Sequence, residues 1–269
     1  MSEAAIKFIQ MLPSCVTHLK LSFEYSEDWT LDFRDFSVTL QDRCPNLQVL
    51  IFHRARLTDV ANPRKIQLSK LLISNIQVLA FHHCVSKNYS MICSDDTAAS
   101  TIEVFDISRS KLSFDYSFIS KMPHVKKMYL AGSGICDLIF KTDPSIVSRL
   151  EVLDLEGTLT GSSAFKAVRD YGFHLVELYM CFTLLNDDDL IFDDDILPRL
   201  EKLCVRVSDV THKGVASLLK ACKSLQHVYV GDLTANPEND YSMCDPEKVR
   251  IINGFEYCDH YAKVDFMHL

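Results

Sequence analysis

The sequence predicts an α/β repeat solenoid, a curved horseshoe of short stacked units with a parallel sheet on the concave face and helices on the convex face. Three observations predict it. The pattern apolar-x-x-apolar-x-apolar occurs nine times along the 269 residues. Its last five occurrences, from Val125, Leu150, Leu175, Leu200 and Leu225, follow one another at intervals of 25 residues. A column of small residues (Ala55, Cys84, Ser110, Ser133, Thr158, Thr183 and Ser208) stands three places beyond the final apolar position of successive units.

The pattern opens at Val16 as "VTHLKL" and returns as "LQVLIF" from Leu47, "IQVLAF" from Ile76 and "IEVFDI" from Ile102. "VKKMYL", "LEVLDL", "LVELYM", "LEKLCV" and "LQHVYV" complete the series. This is the signature of leucine-rich repeats. In "LEVLDL", Leu153 and Leu155 point to one side of a short strand and Asp154 to the other. One unit is too small to bury its apolar side, so units stack and their strands join in a parallel sheet. About 19 residues of each 25-residue unit remain for the return path, room for a helix of two or three turns. The small residues mark the bend where the chain leaves the sheet, and short polar side chains there can bond backbone groups of the adjacent unit.

Taken in chain order, "AAIKFIQML" (4–12) reads as a first convex helix with Ile6, Ile9 and Leu12 facing inward. The connectors over 62–74 and 88–99 carry no clear period. "TGSSAFKAVRDYGF" (160–173) and "THKGVASLLKACKSL" (211–225) have helical spacing, through Phe165 and Val168 and through Val215, Leu218, Leu219 and Cys222, with Thr211 as N-cap. After Val230 the composition turns polar, and "INGFEY" (252–257) reads as a degenerate tenth strand or cap. The expected organisation is a solenoid over 1–233 and a C-terminal loop and cap over 234–269.

Composition narrows the function. A 48% apolar and 24% charged chain is ordinary globular protein. The net charge of −8 is uneven: residues 1–134 carry 15 Lys+Arg against 13 Asp+Glu, and residues 135–269 carry 13 against 23. Such a surface does not suit nucleic acid, which needs clustered Lys and Arg, and fits a partner with a basic surface better. The longest uncharged run, between Lys70 and Lys87, is too polar and short to cross a membrane. The N-terminus, interrupted by Glu3 and Lys7, does not read as a signal peptide. The expectation is therefore a cytoplasmic or nuclear protein whose ten cysteines are reduced thiols.

Two stretches carry a family resemblance. "CPNLQVLIFHRARLTD" (44–59) and "CKSLQHVYVGDL" (222–233) share Cys-x-x-Leu leading into the strand, and Thr58-Asp59 and "DVTHKGV" are similar to the Thr-Asp-x-Gly opening of a convex helix. The chain resembles the cysteine-containing leucine-rich repeats of F-box/leucine-rich-repeat proteins over residues 4–233. The resemblance implies target recognition, with a Skp-type adaptor and a cullin ubiquitin ligase as further partners if a longer form carries an F-box. No Leu-Pro-x-Glu-led F-box precedes the repeats in this sequence. The other reading is a stand-alone adaptor or assembly factor with no ligase link.

The partner is expected on the concave sheet. The register places Lys20, Ile51, Ala80, Asp106, Tyr129, Asp154, Tyr179, Cys204 and Tyr229 in the middle outward column. From the fifth repeat onward this face carries Tyr129, Tyr179 and Tyr229, of the kind enriched at interface hot spots, together with charged residues; Asp106, Asp154, Glu156 and Glu177 give an acidic side and Lys202 and Arg206 a basic spot. These nine are the candidate partner-binding residues. The run "NDDDLIFDDDIL" (186–197) falls in a convex connector. It reads first as a solvated acidic connector with Leu190, Ile191, Phe192, Ile196 and Leu197 as its buried side and Asp187 to Asp189 near a helix start. A second protein contact and a metal site are the alternatives, and the lack of a turn-permitting glycine disfavours a calcium loop. No Cys-x-x-Cys pair, nucleophile elbow or glycine-rich phosphate loop is present, so no enzyme activity, metal or cofactor is expected.

Overall fold

The computed structural model describes residues 2–23, 30–59, 65–67, 75–92, 101–114, 122–192, 195–206, 208–231 and 247–252. The chain divides into two compact units, Met1–Gly134 and Ile135–Leu269. In each the repeat strands stack in parallel as the repeat predicts, and the chain is an α/β leucine-rich-repeat solenoid.

In the first unit, strands β1 (His18–Ser22), β3 (Val49–His53), β6 (Val78–His82), β8 (Val104–Asp106) and β10 (Lys127–Tyr129) pair in that order, all parallel. In the second, β11 (Val152–Asp154), β12 (Glu177–Tyr179), β13 (Lys202–Cys204), β14 (His227–Gly231) and β15 (Val249–Ile252) do the same. The register is the one the repeat requires: Lys20 faces Ile51, Ala80, Asp106 and Tyr129 in turn, and Asp154 faces Tyr179, Cys204 and Tyr229. The last strand differs in place. It ends at Ile252, where "INGFEY" begins, and residues 253–257 lie outside the described residues.

The connectors form a second layer, and here the first unit departs from expectation. Helix Ser2–Met11 is present as read. Helix Phe33–Arg43 was not foreseen, although its signals are plain: Asp32 accepts a hydrogen bond from the Arg34 amide as N-cap, and Phe33, Phe36, Ser37 and Leu40 bury one face. After it the described part of the outer layer is strand. β5 (Lys65–Gln67), β7 (Val85–Ile92) and β9 (Lys111–Phe114) make a second parallel sheet, while β2 (Leu31–Asp32) pairs β4 (Leu57–Thr58). Thr58 therefore sits in a strand, its Oγ1 donating to Leu31 O at 3.3 Å, and residues 60–64, where the helix it was expected to open would begin, lie outside the described residues. A short connector can return in extended form when its residues are β-branched or hydroxylated, as in "VSKNYSMI". The second unit keeps helices: Leu138–Thr142, Ser162–Tyr171 and His212–Ala221, with Thr211 capping the last through its side chain.

Between the layers lies the core. In the first unit Phe52 and Phe81 are register partners with rings stacked 5.1 Å apart, and Phe33 and Phe36 of the helix close on Phe52 at 5.9 and 5.5 Å. All four rings are fully buried, as are Leu155 and Met180 at the positions of the second unit equivalent to Phe52 and Phe81. The small-residue column closes the strand ends in two ways. Ser110 Oγ donates to Phe81 O of the preceding repeat at 2.5 Å and accepts from the Cys84 amide at 2.9 Å. Thr158, Thr183 and Ser208 instead donate to the carbonyl three residues back in their own repeat, Leu155, Met180 and Val205.

One residue before six of the seven small-residue positions the chain takes a left-handed turn. Arg54, His83, Arg109, Gly132, Gly157 and Phe182 all have φ between 54° and 63°. Only two are glycine, so the fold forces side-chain-bearing residues into a conformation that glycine adopts freely.

Candidate recognition surface

The sheet face turned away from the connectors carries the nine candidate residues, Asp106 and Tyr129 in the first unit and the other seven in the second. Their columns are as expected and their exposure is not. Asp106, Tyr129, Asp154, Glu156, Tyr179 and Arg206 are buried, with Tyr129 and Tyr179 only 6% and 3% exposed. Glu177, Lys202 and Tyr229 are half-buried. The tyrosines were expected to project as contact groups, yet two of the three are not surface groups. Neighbouring strands stand only about 4.8 Å apart, so large side chains in adjacent columns crowd and bond one another.

Specific ties hold the face together. Tyr179 Oη donates to Glu177 Oε2 at 2.6 Å, reaching back along its own strand to the residue on the same face. Glu177 Oε1 in turn accepts from Lys202 Nζ at 2.9 Å, across to the next strand. The hydrogen bond to Glu177 outweighs partial burial and holds the Lys202 ammonium above its ordinary pKa. Glu177 of the acidic side and Lys202 of the basic spot thus belong to a single internal network. In the first unit His82 Nε2 lies 2.8 Å from Asp106 Oδ2, and the Ser108 amide donates to Asp106 Oδ1 at 2.7 Å.

Cysteine makes a tie of the same shape. Cys181 and Cys204 are joined as a disulfide, their Cα atoms 5.8 Å apart. The expectation of reduced thiols throughout fails at this pair. The partners lie on one face of the sheet in adjacent repeats, 23 residues apart and thus two short of the repeat length. His82 and Asp106 make the same diagonal at a separation of 24. A column-by-column reading looks across the strands and misses diagonals. Among the described residues, Cys44, Cys84 and Cys222 are buried free thiols and Cys15 is an exposed one. Burial pushes Cys84 and Cys222 up to about 12.

The acidic run resolves into definite roles. Asp187–Leu190 is a 3₁₀ turn closed by a reciprocal cap: the Asp188 amide donates to Asn186 Oδ1 at 2.9 Å and the Asn186 amide to Asp189 Oδ2 at 3.1 Å. Asp187 reaches into the next repeat, where Thr211 N and Oγ1 donate to its carboxylate at 2.7 and 2.5 Å, just ahead of helix His212–Ala221. Asp137 does the same two repeats earlier, accepting from Gly161 N, Ser163 N and Ala164 N at 2.9, 3.3 and 3.2 Å. Gly161 has no side chain to cap helix Ser162–Tyr171, and the preceding repeat supplies one. Sequence reasoning missed Asp137; the 50-residue spacing to Asp187 was the available signal. Of the residues expected to bury the run's inner side, Leu190 and Leu197 are buried, Phe192 and Ile196 are half-buried, and Ile191 is 69% exposed, carried outward where the 3₁₀ turn ends at Leu190. Asp193 and Asp194 lie outside the described residues. Among the described residues no group of three His, Cys, Asp or Glu side chains could hold a metal ion, and no helix is long and apolar enough to cross a membrane.

No protein-family profile and no curated protein matches the sequence. Several solved structures resemble the chain. An internalin-like protein of Listeria monocytogenes superposes with a TM-score of 0.46 at 16% identity, over 84% of this chain and 60% of its own. The functional domain of InlJ from the same organism, which includes a cysteine ladder, gives 0.46 and 16% over 92% of this chain and 56% of its own. An internalin, InlF, gives 0.35 and 12% over 96% and 95%. This chain therefore spans less than two thirds of the first two.

Proposed function

We infer that this chain is a protein-recognition module, acting in target recognition within, or derived from, an F-box-type ubiquitin-ligase receptor. The observation that carries the recognition reading is the half-exposed set Glu177, Lys202 and Tyr229, held at fixed strand spacing on a continuous parallel sheet of the second unit. A preset row of charged and aromatic groups gives a partner geometry without ordering cost. The ligase reading rests on the Cys-x-x-Leu repeats alone. A stand-alone adaptor is the second reading.

The same reading makes the chain a binding protein and not an enzyme. His82 and Asp106 form an acid–base pair, but Cys84, the nearby nucleophile by sequence, is disarmed by burial and donates its thiol to the carbonyls of Phe52 and His82. The proposed compartment is the cytoplasm or nucleus. The Cys181–Cys204 disulfide argues the other way, since disulfides persist in oxidising compartments; thiol labelling of the protein drawn directly from its cells decides between them.

The test is quantitative mass spectrometry of proteins co-purifying with the tagged full chain, in wild type and in the Lys202→Glu and Tyr229→Ala variants. Enrichment of a Skp-type adaptor and a cullin supports the ligase reading; their absence beside another enriched protein supports the adaptor. A partner retained undiminished by both variants refutes the sheet-face site.

A further inference from the structure

Six of the nine candidate residues are buried, so a partner's apolar contacts must be sought elsewhere. Among the described residues of the second unit three leucines stand in water: Leu138 at 52%, Leu159 at 69% and Leu184 at 66% exposure. Single exposed leucines are ordinary. These are not scattered. Leu159 and Leu184 hold equivalent positions in successive repeats, just past the strand ends. Leu159 N donates to Ile135 O at 3.1 Å and Leu184 N to Thr160 O at 2.9 Å, which sets the two side by side on adjacent rungs. Leu138 follows Asp137, whose carboxylate binds the Gly161 and Ser163 amides of the same turn. The next rung replaces leucine with exposed Asp209, whose amide donates to Leu185 O at 3.0 Å, and exposed Asp188 follows four residues after Leu184.

An apolar patch with an acidic margin has a definite complement. We propose that this leucine ledge, Leu159 and Leu184 bordered by Asp188 and Asp209, docks an amphipathic segment of a partner protein that carries aliphatic side chains beside lysine or arginine. The proposal deepens the recognition reading and rests on it. Charge favours this occupant over a second copy of the chain, because residues 135–269 carry 23 acidic against 13 basic side chains and would repel their like.

The probe is a synthetic amphipathic peptide with leucines along one helical face and flanking lysines, compared with the same peptide bearing glutamates in place of lysines. Fluorescence anisotropy follows its binding to the full chain, to the Leu159→Ser/Leu184→Ser variant and to Lys202→Gln. The expected result is binding of the lysine peptide to wild type. Binding should weaken about tenfold or more with the double-serine variant, and likewise with the glutamate peptide. An unchanged thermal midpoint for the serine variant shows that folding is intact. Equal affinity for the serine variant, equal binding of the glutamate peptide, or self-association in sedimentation that the serine variant abolishes each overturns the proposal. Loss with Lys202→Gln but not with the serine variant also overturns it, while leaving the sheet-face reading standing.

Discussion

The left-handed residues at the strand ends separate what a side chain does from what its backbone must do. Gly157 sits in that column at φ 63°. Gly157→Ala should cost about 1 kcal/mol, read as a lower urea midpoint with an unchanged slope. A wild-type midpoint would show that the turn relaxes. The cysteines divide just as cleanly. With thiols pushed up to about 12, buried Cys84 and Cys222 should resist alkylation at neutral pH in the folded protein, while exposed Cys15 reacts first. Peptide mapping after brief alkylation checks the order, and early labelling of Cys84 would show that its strand opens. At this scale the sequence was informative about direction and silent about burial. Alternation placed Tyr179 on the outward face correctly, but only the structure shows its hydroxyl turned back on Glu177.

Two helices of the second unit, Ser162–Tyr171 and His212–Ala221, are finished by neighbours. Asp137 meets three amides at the start of helix Ser162–Tyr171, and no other residue is placed to replace it at Gly161 among the described hydrogen bonds. Asp137→Ala should therefore cost about 2 kcal/mol, the upper range for a cap with charge-assisted bonds. Asp188→Ala, at an exposed site, should stay within about 0.5 kcal/mol. Chemical denaturation of the two variants compares them, and equal losses would mean that the acidic run acts through total charge. Gly214 belongs to the same arrangement, since a Cβ there would run into Asp187 Oδ1 and stand 2.9 Å from Leu190 Cδ1. Element by element, the sequence disclosed the strands and the three helices with clear apolar spacing. It did not disclose the outer strands β5, β7 and β9, because their connectors alternate weakly and the choice between helix and strand there is made by packing.

For the molecule as a whole, the repeat period carried the fold class, and the uneven charge carried the expectation of a basic partner. The candidate site was legible only as register. Diagonal ties such as His82 to Asp106 and Cys181 to Cys204, and the exposed leucines past the strand ends, depend on how side chains settle after the strands have stacked. The first unit should also respond to acid. Burial lowers the pKa of His53 and of His83, with Arg54 adding to the first and Arg109 to the second, and the two rings sit 5.7 Å apart. Below about 6.5 the unfolded chain takes up protons that the folded chain still refuses, so stability is full above that pH and falls as pH drops through the depressed folded-state values. Thermal midpoints measured between pH 7 and 5 should decline, and the decline should be blunted in His53→Gln/His83→Gln; an identical slope in that variant would assign the effect to other groups.

The inter-repeat caps also bear on the order in which the chain is made. Asp137 and Asp187 precede the helices they complete by more than twenty residues. During synthesis from the N-terminus each carboxylate has already left the ribosome when the first turn of its helix emerges. The helix can then be closed at once by chain that is already there, so this half of the protein can grow one repeat at a time without waiting for its end.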